Sequence, residues 1–179
     1  MNILMITSSP HHQNASSSTL LAGHFSKGAQ EAGHTVTFFD AGHADLHPCL
    51  GCGHCGTAGP CVHKDDMAQA RSAILSCDML VFVTPLYYFG MSAQLKILTD
   101  RFYAFNGELM GKKLKTALIA AAWDSEDWIM QALVSHYRTI CRYLNFQDMG
   151  MILGLGCGTP AMTAASGFPE KAYAFGKSL

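Results

Sequence analysis

The chain has 179 residues, 49% hydrophobic and 14% charged, with twelve basic and thirteen acidic side chains and a formal net charge of −1. That length suits one domain over residues 1–179 with a real core, and the near-neutral balance argues against nucleic acid or an acidic membrane as partner, since each selects a basic face. No apolar run reaches the about 20 residues of a membrane span and the N-terminus shows no basic leader, so a cytoplasmic protein is expected, where seven cysteines are poor disulfide candidates.

In chain order, Ile3 to Ile6 reads as a short buried strand that ends in Thr7-Ser8-Ser9-Pro10. Ser16 to Ala32 is helical in pattern, with Leu20, Leu21, Phe25 and Ala29 on one side, and Gly33 stops it. Thr35 to Phe39 is a second strand. Residues 40–64, dense in glycine and proline, form one long functional loop. Asp65 or Asp66 caps a helix to about Ser76. Asp78 to Thr84 is the clearest strand, broken by Pro85, and Met91 to Phe102 is helical. Lys115 to Ala122 is a fourth strand. Asp124 or Ser125 caps a helix to Leu144, Gln147 to Gly156 is a fifth strand, and Pro169 opens a short last helix.

This alternation means right-handed crossovers and a parallel sheet covered by helices on both faces. In a doubly wound α/β sheet ligands sit outside the carboxyl ends of the strands, at the switch point. That rule selects the loops Ser8–Ser18, Pro85–Gly90 and Ala122–Ser125.

The first of these is rich in small hydroxyls and opens a helix. It is either an anion cradle, with free N–H groups and the positive end of the helix dipole, or a polar turn with an ordinary serine cap. It contains no Gly-x-Gly-x-x-Gly and no Gly-Lys-Ser/Thr, which disfavours dinucleotide binding and nucleotide triphosphate hydrolysis. The loop after the third strand carries Tyr87, Tyr88 and Phe89, which would flank a planar ring or belong to a core or contact surface.

Pro85, Tyr87, Gln94, Leu95, Lys96, Asp100 and Arg101 together resemble a motif of the NAD(P)H-dependent FMN reductase family. The family's first motif, Gly-Ser-Pro-Arg, stands here as Ser8-Ser9-Pro10-His11, with both glycine and arginine replaced. The resemblance covers nearly the whole chain. It implies a flavodoxin-like three-layer sandwich with a five-stranded parallel sheet. It also implies that FMN lies in the groove: its phosphate on Ser9, His11, Asn14, Ser16, Ser17 and Ser18, its ring at Pro85, Leu86, Tyr87, Tyr88, Phe89 and Gly90, and a third wall at Trp123, Asp124 and Ser125. NAD(P)H would reduce the flavin, which would pass electrons to a quinone, nitro, azo or similar acceptor. No side-chain acid or base is required, so no catalytic residue is named.

Cys49-x-x-Cys52-x-x-Cys55-x5-Cys61 places four thiols within thirteen residues. The spacing resembles that of iron–sulfur flavoproteins, a branch of the same family, and by that resemblance a [4Fe–4S] cluster would lie near the interface of a homodimer or homotetramer. Cysteines at every third position suit a cluster better than zinc, which usually takes two separated pairs. A loop of free thiols stays open as a third reading. His43, His47, His54 and His63 flank the loop as alternative ligands. An electron-transfer protein without its own NAD(P)H turnover is the alternative function. Cys77, Cys141 and Cys157 are expected as buried small hydrophobes, and Lys96–Asp100 as a surface pair.

Overall fold

A computed structural model describes residues 1–12 and 15–179. Five strands form one parallel sheet: β1 (Asn2–Thr7), β2 (Thr35–Asp40), β3 (Met79–Pro85), β4 (Lys115–Ala121) and β5 (Gln147–Gly154), in the order β2-β1-β3-β4-β5. This is the doubly wound order with its switch point between β1 and β3. The register sets Ile3 against Met79 and Met79 against Lys115.

The helices are α1 (Ser17–Glu31), α2 (His54–Thr57), α3 (Met67–Ser76), α4 (Ala93–Asp100), α5 (Asn106–Lys112), α6 (Gln131–Tyr143), α7 (Pro160–Ala164) and α8 (Phe168–Lys177). Central-strand side chains alternate between two cores. Ile3, Met5, Val81, Val83 and Ile119 meet α1 and α8 on one face. Leu4, Ile6, Leu80, Phe82 and Leu118 meet α3, α4, α5 and α6 on the other. Both faces are covered, which is why the strands read as continuous apolar runs rather than alternating ones.

Helix α1, whose first turn opens the first loop, is held by a close crossing with α8. A Cβ on Gly28 would stand 2.1 Å from the Tyr173 carbonyl oxygen, and one on Gly176 2.1 Å from that of Phe25. Only glycine permits backbones this near.

Several boundaries differ from those read in the sequence. Ser16 lies outside α1 as its cap, its Oγ accepting from Thr19 N–H at 3.2 Å. The predicted helix from Met91 starts at Ala93 with Ser92 as cap, runs into a 3-10 turn (Arg101–Phe105) and is followed by α5. Neither Asp124 nor Ser125 caps α6. The Asp124 carboxylate accepts from the N–H groups of Ser125 and Glu126, which closes the loop locally, and Glu126 is extended before a 3-10 turn (Asp127–Met130) leads into the helix. Strand β5 stops two residues early, at Gly154, and α7 was not anticipated. Cys77, Cys141 and Cys157 are buried as expected, and burial pushes the Cys77 thiol up to about 11. Lys96 and Asp100 form an exposed pair at 2.6 Å.

Candidate functional site

The hydrogen-bond ladder of the sheet continues past the strand ends and fixes the loops above it. Leu86 N–H donates to Ala121 O at 2.8 Å, Ala122 N–H to Gly154 O at 2.8 Å and Cys157 N–H to Ala122 O at 2.7 Å. Ser8 Oγ–H donates to Val83 O at 2.8 Å, and Ser92 Oγ–H to Ser8 O at 2.9 Å. Both serines are fully buried, so the loops after β1 and β3 are tied beneath the groove by hydroxyls.

The groove contains a cavity of 220 Å3. Ser9, His11, Ser16, Ser17 and Ser18 form its polar wall, while Pro85, Leu86, Tyr87 and Trp123 form the apolar one. A second cavity of 270 Å3 shares Leu86 and Trp123 with it and adds Tyr88, Phe89 and Asp124. Thus most residues expected at the site from the sequence converge on it. Gly90 instead closes a turn with Tyr87, and Ser125 lines neither cavity. Asn14 lies outside the described residues.

Ser17 Oγ is buried at the start of α1 with no hydrogen-bond partner among the described residues. Buried hydroxyls nearly always find one. This one sits beside the first-turn N–H groups, which lack intrahelical acceptors and of which Thr19's is taken by Ser16 Oγ, at the positive end of a 15-residue helix. The donor set fits a phosphate.

Tyr88 and Phe89 occupy left-handed backbone, with φ of 44° and 65°. Tyr87 and Gly90 exchange both N–H···O bonds at 3.1 Å, so the two aromatics form the centre of a two-residue turn that normally takes Asn or Gly. Bulky residues there are strained, and such strain gathers at binding sites. All three aromatics are exposed, Tyr88 completely, so none belongs to the core. Phe89 stacks on Trp128 at 5.3 Å.

Sequence reading missed the loop after β5. Cys157 and Gly158 line the first cavity, and a Cβ on Gly158 would stand 2.4 Å from the Trp123 ring. The run Gly156-Cys157-Gly158-Thr159-Pro160, turn-rich at a strand's carboxyl end, was the available signal.

The cysteine loop meets the C-terminal end of α4, where Arg101 bonds to its neck. Its neck is closed by Asp45 N–H to Asp66 Oδ2 at 2.8 Å and His47 N–H to Asp65 Oδ2 at 3.1 Å. Beneath it runs a buried ion pair. Arg101 Nη1 donates to Asp65 Oδ2 at 2.7 Å and to His47 O at 2.8 Å, and Nη2 donates to Asp65 Oδ1 at 3.1 Å. The two side chains are 2% and 1% exposed. Burial alone would raise the Asp65 carboxyl. The Arg101 guanidinium and the backbone N–H groups of His47 and Met67 overcome this and hold it far below the usual carboxylate range. Asp65, read in the sequence as a helix cap, does accept from Met67 N–H at 3.2 Å, but its main partner is 36 residues away.

Cys49 and Cys52 are exposed, Cys55 and Cys61 half-buried. Positive φ at Gly51 and Gly53 supplies the turns between them, and Gly51 N–H donates to Cys49 Sγ at 3.4 Å. Four soft sulfur donors on one loop, one already taking an N–H···S bond, fit a thiolate-bound cluster. Among the described residues, the ligand atoms gathered tightly enough for a single ion are those of His47, His63 and Asp65, within 4.8 Å of one another. These make a poor metal site. The imidazoles are stacked at 5.2 Å rather than converging, and both Asp65 oxygens are already occupied by four donors.

The strand order and the groove at its switch point define a flavodoxin-like α/β protein. The chain belongs to the NADPH-dependent FMN reductase family, whose pattern it matches over residues 1–158. It is similar to an iron-sulfur flavoprotein of Methanocaldococcus jannaschii, at 32% identity over 101 residues, which is 56% of this chain and 51% of the relative. An NAD(P)H:quinone oxidoreductase from Methanothermobacter marburgensis superposes with a TM-score of 0.75 at 18% identity, covering 99% of this chain and 95% of that one. An FMN-dependent NADH-azoreductase from Bacillus anthracis, solved in complex with FMN, gives 0.72 at 13% identity, covering 99% and 98%. These two likenesses establish the fold. The chain spans about half the length, or less, of the curated relatives it matches. No helix among the described residues is long and apolar enough to cross a membrane.

Proposed function

We propose that the chain is an FMN-dependent NAD(P)H oxidoreductase that passes electrons to a small planar acceptor of the quinone, nitro or azo kind. The observation that carries this reading is the unpartnered, buried Ser17 Oγ at the head of α1, in a cavity whose other wall is aromatic. Ser9, Ser17, Ser18 and the first-turn amides would hold the phosphate. Tyr87 and Trp123 would flank the ring and keep water from it. Bound FMN would supply the hydride and electron chemistry, and the protein its orientation. Family membership supports the same activity.

The test is direct. Denatured protein should release about one FMN per chain, and the holoprotein should oxidise NADPH or NADH with a quinone. Colourless protein that binds no added FMN would refute the reading.

A second reading is favoured by the cysteine loop and its buried Arg101–Asp65 anchor. In it Cys49, Cys52, Cys55 and Cys61 hold a [4Fe–4S] cluster, and a homo-oligomer passes electrons between FMN and a redox partner. Anaerobic reconstitution with iron and sulfide tests this by iron content, and any single Cys→Ala among the four should abolish iron uptake while leaving FMN bound.

A further inference from the structure

Two of the five N–H donors of Arg101 are left over, one on Nη2 and the one on Nε. Nη1 and Nη2 make three bonds to Asp65 and His47, so each has a partner, but Nε–H is buried and has none among the described residues. A buried cationic N–H without an acceptor is uncommon enough to need a cause. Asp65 cannot serve it, since both its oxygens are occupied, and His63 directs its Nε2 to Pro48 O at 3.2 Å.

One further acceptor stands nearby. Arg101 and Cys61 line the same cavity, of 370 Å3, beside the end of the cysteine loop. A neutral thiol accepts hydrogen bonds weakly, whereas a thiolate accepts a charge-assisted bond.

We propose that Arg101 is a positioning residue of the four-cysteine site, its Nε–H donating to the Cys61 sulfur once that sulfur is a metal-bound thiolate. The inference rests on the reading of Cys49, Cys52, Cys55 and Cys61 as cluster ligands. Asp65 then serves the site as well, because engaging both Nη atoms fixes the guanidinium plane beside the cavity that Arg101 shares with Cys61. Hydrogen bonds to cluster sulfurs favour the reduced, more negative state, and so raise the reduction potential.

Arg101→Lys keeps the positive charge beside Asp65 and deletes the Nε–H, which separates the bond from the charge. The full chain and this variant are reconstituted anaerobically with iron and sulfide. Iron and FMN per chain are measured, and the potential is read by titration followed by electron paramagnetic resonance. Equal iron and FMN are expected, with the variant's reduced-to-oxidised ratio at a fixed potential about tenfold lower, a shift of about 59 mV for one electron. A second measurement needs no variant. Wild-type protein carrying 15N-arginine should show nitrogen hyperfine coupling to the reduced cluster.

Equal potentials at equal iron content overturn the inference, as does absence of 15N coupling in the wild type, including the case where Arg101→Lys fails to fold. Wild type that takes up no iron overturns the cluster reading and this inference with it. Iron uptake without either signature overturns this inference alone.

Discussion

Gly158 lies against the ring of Trp123 so closely that a Cβ would come within 2.4 Å of it. The indole is 71% exposed, so Gly158→Ala should push it outward rather than disturb the core. Unfolding stability should change by less than about 1 kcal/mol, as for a surface substitution. FMN affinity, which depends on the Trp123 wall, should weaken about tenfold, as measured by quenching of flavin fluorescence. Unchanged affinity would show that the ring does not touch Trp123.

Ser17→Ala should move two quantities in opposite directions. In the free protein it removes a buried hydroxyl that has no partner, so stability should hold or rise by up to about 1 kcal/mol. With FMN present it removes one phosphate donor, about 0.5–1.5 kcal/mol, so the dissociation constant should rise about two- to tenfold. Urea unfolding of the FMN-free protein and flavin titration together test the pair. A destabilised free protein with unaltered affinity would contradict the cradle.

Asp65→Asn leaves the Arg101 guanidinium buried without its counter-charge and should cost about 3 kcal/mol or more of stability. The folded carboxyl lies below its ordinary value of about 3.9, so its contribution is fully present above that pH and is lost as pH falls toward the folded value. The stability gap between wild type and variant should therefore be constant from pH 6 to 8 and narrow below about pH 4. Denaturant unfolding across that range is the measurement, and a gap independent of pH would deny the ion pair its role.

His11 lines the cavity at the position where the family motif carries arginine. A side chain that donates to the phosphate supports FMN binding by one hydrogen bond, about 0.5–1.5 kcal/mol, so His11→Ala should raise the dissociation constant about two- to tenfold, read by flavin titration. Unaltered affinity would leave the phosphate to the serines and the helix amides.

What could be read from the chain follows from which forces are local. The strands were legible because both faces are buried, so Met79 to Val83 had to be continuously apolar. The groove was legible because Ser8 to Ser18 and Pro85 to Gly90 end strands at the switch point. The partnership of Arg101 with Asp65 was not, because no local pattern joins residues 36 apart. Asp124 misled for a related reason. An aspartate before a helix serves equally well as a cap or as the centre of a tight turn, and the chain's path past β4 chose the turn. Gly158 carried a turn signal, but its purpose depended on where Trp123 lay.

Helix α4 begins after Ser92, whose hydroxyl is bonded to Ser8 below the groove, and ends at Arg101, which grips the neck of the cysteine loop. Its eight residues span about 12 Å. The helix is therefore a ruler with each end bolted to a different site. Adding or deleting one residue would change its length by about 1.5 Å and turn Arg101 about 100° around the axis, away from Asp65. Side chains at either site can change without moving the other, whereas a change in the number of residues between Ser92 and Arg101 parts the two.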